Sequence, residues 1–257
     1  MARANRLSGV GGDLGVLHLT HRCHNRAFLL KFARDRDAYR ALLREHLKCF
    51  DLALLDYCVT SNHVHLLVDA AARAAVSGFM REVASEMARA YNRRKGRMNA
   101  FWGDNYHATL VEEGEYLWRC LCYIELNMVR CGVVAHPREW PWVGCAEIMG
   151  QRQRYRCVDL ERLCWRLRAG SLEDLRKNLS ASLDEKIARR ESRREPCWTG
   201  SLAVGSQAFL EKVKPLILSR SETEIVESAA EGVWSLEEGP VAYAGKTVQE
   251  STGKAYY

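Results

Sequence analysis

An α+β fold built on a four-stranded antiparallel sheet is what this sequence predicts, from three observations. Short apolar runs rich in β-branched residues alternate with longer stretches whose apolar positions recur every three or four residues. Two of the runs, Leu52 to Val59 and Asn62 to Val68, are separated by little more than Thr60-Ser61, which is hairpin spacing. The segments follow the order β-α-β-β-α-β-α, the ferredoxin-like split βαβ arrangement plus one helix, with helices on one face of the sheet.

The elements follow in order. Leu14 to Thr20 spaces apolar residues as a strand does and leads into a polar loop, Arg22 to Arg26. Asp35-Arg36-Asp37 places acids at the head of a helix running to about Phe50, with Tyr39, Leu42, Leu43, His46 and Leu47 at helical spacing. After the hairpin, Ser77 is positioned to cap a helix carrying Phe79, Met80, Val83, Met87 and Tyr91 on one stripe, and Gly96 is its stop. Tyr106 to Val111 is the fourth strand. Glu113 to about Val133 is a strong helix ended by Gly132 and Pro137.

Residues 1–150 therefore form one catalytic-sized domain, and residues 151–257 a charged, mainly helical extension. Within it, 151–195 reads as helical, Pro196 as a linker, 201–232 as two short helices, and 239–257 as loosely ordered. The formal net charge is +6 with a pI near 8.8. Residues 1–150 hold 20 Lys/Arg against 16 Asp/Glu, 151–200 hold 13 against 8, and 201–257 hold 5 against 8. Phosphate contacts are thus expected from the first two segments, because cations displacing counterions carry nucleic-acid affinity. The ten cysteines are scattered with no C-x-x-C pair, the start has no apolar h-region, and no apolar run reaches the ~18 residues of a membrane span. Free thiols, mostly buried, in a reducing cytoplasm and no membrane partner are the expectation.

The chemistry concentrates in Thr60-Ser61-Asn62-His63-Val64-His65-Leu66-Leu67-Val68. Side chains alternate along a strand, so His63 and His65 share one face while Val64, Leu66 and Val68 line the other. Two imidazoles on one rigid strand are half of a divalent-metal site; the plain alternative is two surface histidines on the polar face of a half-buried strand. Tyr123 and Asn127, four apart on the last helix, point the same way. A tyrosine can attack phosphorus, and the Asn127 amide oxygen can add a harder metal ligand. A Tyr-x-x-x-Asn alone fits core packing equally well. His21, His24 and His107 have no same-face partner, with His107 the one expected nearest the site; Cys120 and Cys122 face apart.

Between Met87 and Asn99 stand Arg89, Arg93, Arg94, Lys95 and Arg97 and no acid, followed by Phe101, Trp102 and Tyr106. Cations beside flat rings suit single-stranded DNA, though the rings also serve to close a core. Arg22 and Arg26 are further phosphate candidates.

From Leu17 to Gly144 the chain resembles the REP-associated tyrosine transposases, a branch of the single-tyrosine HUH transposases. The resemblance rests on five blocks: residues 20–26 (Thr-His-Arg-Cys-His-Asn-Arg), 57–68, 100–109 around Phe101-Trp102-Gly103-Asp104, Tyr123-Ile124-Glu125-Leu126-Asn127-Met128-Val129-Arg130, and Trp140-Pro141-Trp142. It implies a ferredoxin-like catalytic domain in which His63 and His65 are the HUH pair, Asn127 completes a Mg²⁺ or Mn²⁺ site and Tyr123 is the nucleophile. The implied partner is single-stranded or hairpin DNA, cleaved to a 5′-phosphotyrosine and a free 3′-hydroxyl. Asn105 stands where relatives often have arginine, and Met128 where many have proline; the latter is expected to keep the helix regular. A non-catalytic, domesticated hairpin-binding protein is the alternative of another class, and a relaxase or replication initiator shares the chemistry. The oligomeric state, monomer or homodimer, stays open.

Overall fold

The computed structural model describes residues 14–191, 193–217, 222–228 and 232–239. The start of the chain and the tail beyond 239, expected to be loosely ordered, lie outside the described residues. Strands β1 (Gly15–Arg22), β2 (Leu52–Val59), β3 (His63–Ala70) and β4 (His107–Val111) lie in the order β2-β3-β1-β4, each antiparallel to its neighbours. Helix α1 (Ala33–His46) joins β1 to β2, and α2 (Arg73–Lys95) joins β3 to β4, as the split βαβ order requires.

The register decides which side chains meet, because residues directly opposite share a face. His18 lies opposite Leu67, Thr20 opposite His65 and Arg22 opposite His63. The other face carries Leu19, His21, Tyr57 and Leu66 and receives α1 and α2. There Arg40 Nε donates to the Tyr57 hydroxyl at 2.7 Å, and the Trp102 indole, stacked on His21 at 4.2 Å, donates to the Ala84 carbonyl at 2.9 Å.

Helices cover the histidine face as well, which the sequence alone does not predict. It is roofed by α3 (Glu115–Glu125) and α4 (Asn127–Arg130) and, after the short α5 (Cys145–Ile148), by α6 (Leu160–Arg166), α7 (Leu172–Ala188) and α8 (Cys197–Gly200). A bidentate pair binds this layer to the sheet: Asp69, fully buried on β3, accepts from Arg166 at 2.8 and 2.5 Å and pairs with Arg162 at 2.6 Å. Trp198 of α8 is among the largest wholly buried side chains.

The sheet has seven strands, not four. β5 (Ala203–Gly205) runs parallel to β4; then, after α9 (Gln207–Val213), come β6 (Thr223–Glu227) and β7 (Trp234–Glu238), giving the order β2-β3-β1-β4-β5-β7-β6. The two short helices expected over 201–232 are one helix and two strands, the strands being too short or too acidic to show an apolar alternation. At the opposite edge β2 is closed by chain rather than by a strand: Val59 N–H donates to the Trp142 carbonyl, Gly144 N–H to the Tyr57 carbonyl and Asp159 N–H to the Leu54 carbonyl, at 2.8, 2.9 and 2.8 Å. No side chain fits at position 144, where a Cβ would stand 1.9 Å from Asp56 Oδ1.

Two helix boundaries differ from expectation. α2 begins a turn before Ser77, whose hydroxyl lies 3.3 Å from the Tyr106 hydroxyl instead of capping the helix. Gly96 does end it, in the left-handed conformation (φ 60°) that glycine adopts without a Cβ penalty. The long helix expected from 113 to 133 is interrupted at Leu126 (ψ 5°), although no proline stands at 128, so Tyr123 and Asn127 sit on either side of a break. All ten cysteines are free thiols, seven of them buried, and no described helix is long and apolar enough to cross a membrane.

Candidate active site

His63 and His65 project from β3 with ring centroids 4.9 Å apart. They are not surface histidines on a wet strand face: His65 is buried under the second helical layer, and His63 is half-buried at its mouth. Burial pushes the His63 imidazole down to about 3 and His65 well below the usual histidine range; the neighbouring Arg22 and Arg130 add to both shifts, as does His63 to that of His65. Both rings are neutral and each keeps one lone pair. At His63 the partners decide which nitrogen keeps it: Nδ1 lies 2.7 Å from Asn62 Oδ1 and 2.9 Å from Thr60 Oγ1, whose own hydroxyl donates to the His63 carbonyl. The proton belongs on Nδ1 and the free pair on Nε2.

Asn127 opens α4, and its amide nitrogen lies 2.9 Å from His65 Nε2. Its Oδ1 is buried with no hydrogen-bond partner. An amide oxygen left bare beside two neutral imidazoles is a donor set suited to a divalent cation of intermediate hardness, so the residues fit such an ion. No group of three His, Cys, Asp or Glu suited to a metal occurs among the described residues.

Tyr123 hangs from α3 over the same histidines. Its ring meets His65 edge-on at 6.1 Å, His18 at 6.2 Å and Trp198 at 6.2 Å, and the Arg130 guanidinium lies 4.1 Å from its centroid while donating to its carbonyl at 2.9 Å. Burial raises the phenol above its usual range, and Arg130 and Arg194 pull the other way. Tyr116, a turn and more earlier, is turned elsewhere: its hydroxyl donates to the Gly232 carbonyl at 2.9 Å.

A cavity of about 380 Å³ gathers Arg22, His63, His65, Tyr123, Asn127, Arg130, Cys131, Arg193, Arg194 and Thr199. Its lining contains four arginines and no carboxylate, an electrostatic funnel for an anion. A second cavity of about 270 Å³ lies on the far side of Tyr123 and does carry acids, Glu191 and Glu195, beside Arg119, Lys186 and Arg130.

Of the expected phosphate contacts, Arg22 lines the histidine cavity and Arg26 is exposed on the loop beyond it. Arg89, Arg93, Arg94, Lys95 and Arg97 do not reach this cavity; they cluster at the end of α2. Arg94 is ion-paired with the buried Asp35, and Arg97 lies 5.6 Å over the Tyr91 ring, while Arg89, Arg93 and Lys95 are exposed. Phe101 and Trp102 close the core. His107 donates through Nε2 to the Ser201 carbonyl at 2.9 Å and stays out of the cavity lining.

Sequence reasoning passes over His18, whose rings and bonds tie it to His65, and over Arg130, Arg193 and Arg194 as site residues. His18 carries a usable signal: it shares the strand face of Thr20 and Arg22. The arginines carry none, since only the fold brings residues 22, 130 and 194 together.

Residues 14–127, a span that includes His63, His65, Tyr123 and Asn127, match the family described as Transposase IS200 like. Among solved structures, a REP-associated tyrosine transposase bound to a REP hairpin is similar over 55% of this chain and 82% of its own, at 16% identity and a TM-score of 0.46. A crystal structure from Deinococcus radiodurans, assigned as a transposase, is similar over 38% of this chain and 79% of its own, at 20% identity and a TM-score of 0.33. No curated protein matches the chain.

Proposed function

We propose that the chain acts as the IS200-like transposases that residues 14–127 match, nicking and rejoining single-stranded or hairpin DNA through a covalent link to Tyr123. The observation that carries this reading is a convergence: one arginine-lined cavity holds a tyrosine, two neutral histidines and an amide oxygen without a partner. Arg22, Arg193 and Arg194 hold the scissile phosphate. The Tyr123 oxygen then bonds to phosphorus, the bond from phosphorus to the 3′-oxygen breaks, and the 3′-oxygen leaves as a hydroxyl, taking up one proton as the phenol gives one up. Arg130, stacked on the ring, favours the anionic form of the phenol as it reacts. His63, His65 and Asn127 would hold Mg²⁺ or Mn²⁺, which when bound would supply Lewis-acid polarisation of the phosphate. The product is a 5′-phosphotyrosine that a second 3′-hydroxyl reverses.

The test is a pair of single substitutions. Tyr123→Phe preserves the ring contacts and removes only the attacking oxygen, so hairpin binding is expected to persist while the covalent protein–DNA adduct disappears from a denaturing gel. Tyr116→Phe is expected to keep the adduct. Loss of adduct in Tyr116→Phe alone overturns the assignment, and wild-type protein that binds hairpins but never forms an adduct is the non-catalytic alternative.

A further inference from the structure

His18 is fully buried at the centre of β1, and its two nitrogens are both engaged: Nδ1 lies 2.8 Å from the Trp198 carbonyl, and Nε2 lies 2.8 Å from His65 Nδ1, the two rings within 14° of parallel. A carbonyl oxygen has no proton to give, so the proton of the first bond sits on His18 Nδ1. No carboxylate bonds the wholly buried His18 ring, whose other nitrogen meets only the His65 ring, so it carries that single proton and its Nε2 is bare. The second bond must then be donated by His65 Nδ1. A neutral His65 that spends its proton there keeps its lone pair on Nε2, the nitrogen facing Asn127. Position 198 thereby reaches the site through two hydrogen bonds in series.

We propose that His18 is a positioning residue: with the Trp198 carbonyl it fixes the tautomer and plane of His65, keeping Nε2 unprotonated and aimed at the cation. The proposal rests on the reading of His65 as a metal ligand for its use, but not for its direct observable. Partners of this kind, one shell out from the ligand, tune affinity by about 10- to 100-fold.

The experiment reads the tautomer in metal-free protein by two-bond ¹⁵N–¹H correlation of the His65 ring, and Mn²⁺ affinity separately by electron paramagnetic resonance. Wild-type His65 is expected in the Nδ1–H form. His18→Phe, which keeps a flat ring but accepts no hydrogen bond, is expected to lose that form and to bind Mn²⁺ about 10- to 100-fold more weakly. His18→Gln, whose carboxamide can accept from His65 and donate to Trp198, is expected to restore both. An Nε2–H proton on wild-type His65 overturns the proposal, as does an unchanged tautomer in His18→Phe. Should His18→Phe fail to fold, the wild-type and His18→Gln spectra still decide. Wild-type protein with the Nδ1–H tautomer and no Mn²⁺ binding would sink the metal reading and leave the relay standing.

Discussion

Asp56 of β2, opposite Leu67 of β3, lies against Glu125 of α3, both wholly buried. Burial raises both carboxyls well above their usual range, with Asp56 adding to the rise of Glu125, and two adjoining carboxylates in a dry site do not both ionise. A folded-state pKa above the unfolded value gives stability that is present at low pH and lost as pH rises. The buried histidines run the other way: His18 at about 3, His21 at about 4 and His63 at about 3 lose stability as pH falls below their unfolded value of 6.5. The carboxyl contribution is isolated by comparing the wild type with a variant that lacks the pair. In urea unfolding, stability is expected to fall as pH rises above the unfolded carboxyl range, by about 1.4 kcal/mol per pH unit for each proton the pair retains, and this part is expected to be lost in the double variant Asp56→Asn, Glu125→Gln. The residues of the site itself are legible because their types announce chemistry: two histidines two apart, and a tyrosine four before an asparagine. His18 is not, because a single histidine in an apolar strand acquires meaning only from the register that sets it beside β3.

The helix α2 shows why a charge run is a weak guide to what each charge does. Arg94 holds Asp35, whose carboxylate is 2% exposed, while Arg89 and Arg93 stand in solvent. Arg94→Ala leaves a buried carboxylate unpaired and is expected to cost about 1–3 kcal/mol in chemical denaturation, discounted because the guanidinium is a quarter exposed. Arg89→Ala with Arg93→Ala should stay within about 0.5 kcal/mol per site. If the exposed cluster tracks phosphate, the same pair flattens the salt dependence of single-strand binding by about 0.7 log unit for each phosphate no longer neutralised. The strands β1 to β3 and the helices α1 to α3 are readable from periodicity since each runs eight residues or more. Strands β5 to β7 are three to five residues long, and the interruption at Leu126 leaves the apolar pattern of the helix intact, so neither gives a periodic signal.

The extension changes what the whole molecule is. Its charge sets it apart from the rest of the chain, yet it supplies three strands of the sheet, the Trp198 carbonyl and two cavity arginines. Trp198→Ala is accordingly expected to cost about 3–5 kcal/mol in urea unfolding, the range for emptying a large core site. The arginines also make the bare cavity hostile to a cation. Mn²⁺ affinity is expected to rise when a single-stranded oligonucleotide is bound, and DNA affinity to rise by the same factor when Mn²⁺ is added, since coupling between two sites is reciprocal; calorimetric titrations in both orders measure it. Finally, the seven-stranded sheet ends in β6, whose outer side is unpaired among the described residues and which displays Val226 at 39% exposure. Such an edge is a template on which a second copy can add a strand, and it is flanked by the exposed Glu222, Glu224 and Glu227. Their mutual repulsion opposes edge-to-edge joining, so Glu224→Val with Glu227→Val should strengthen concentration-dependent association in sedimentation velocity relative to the wild type.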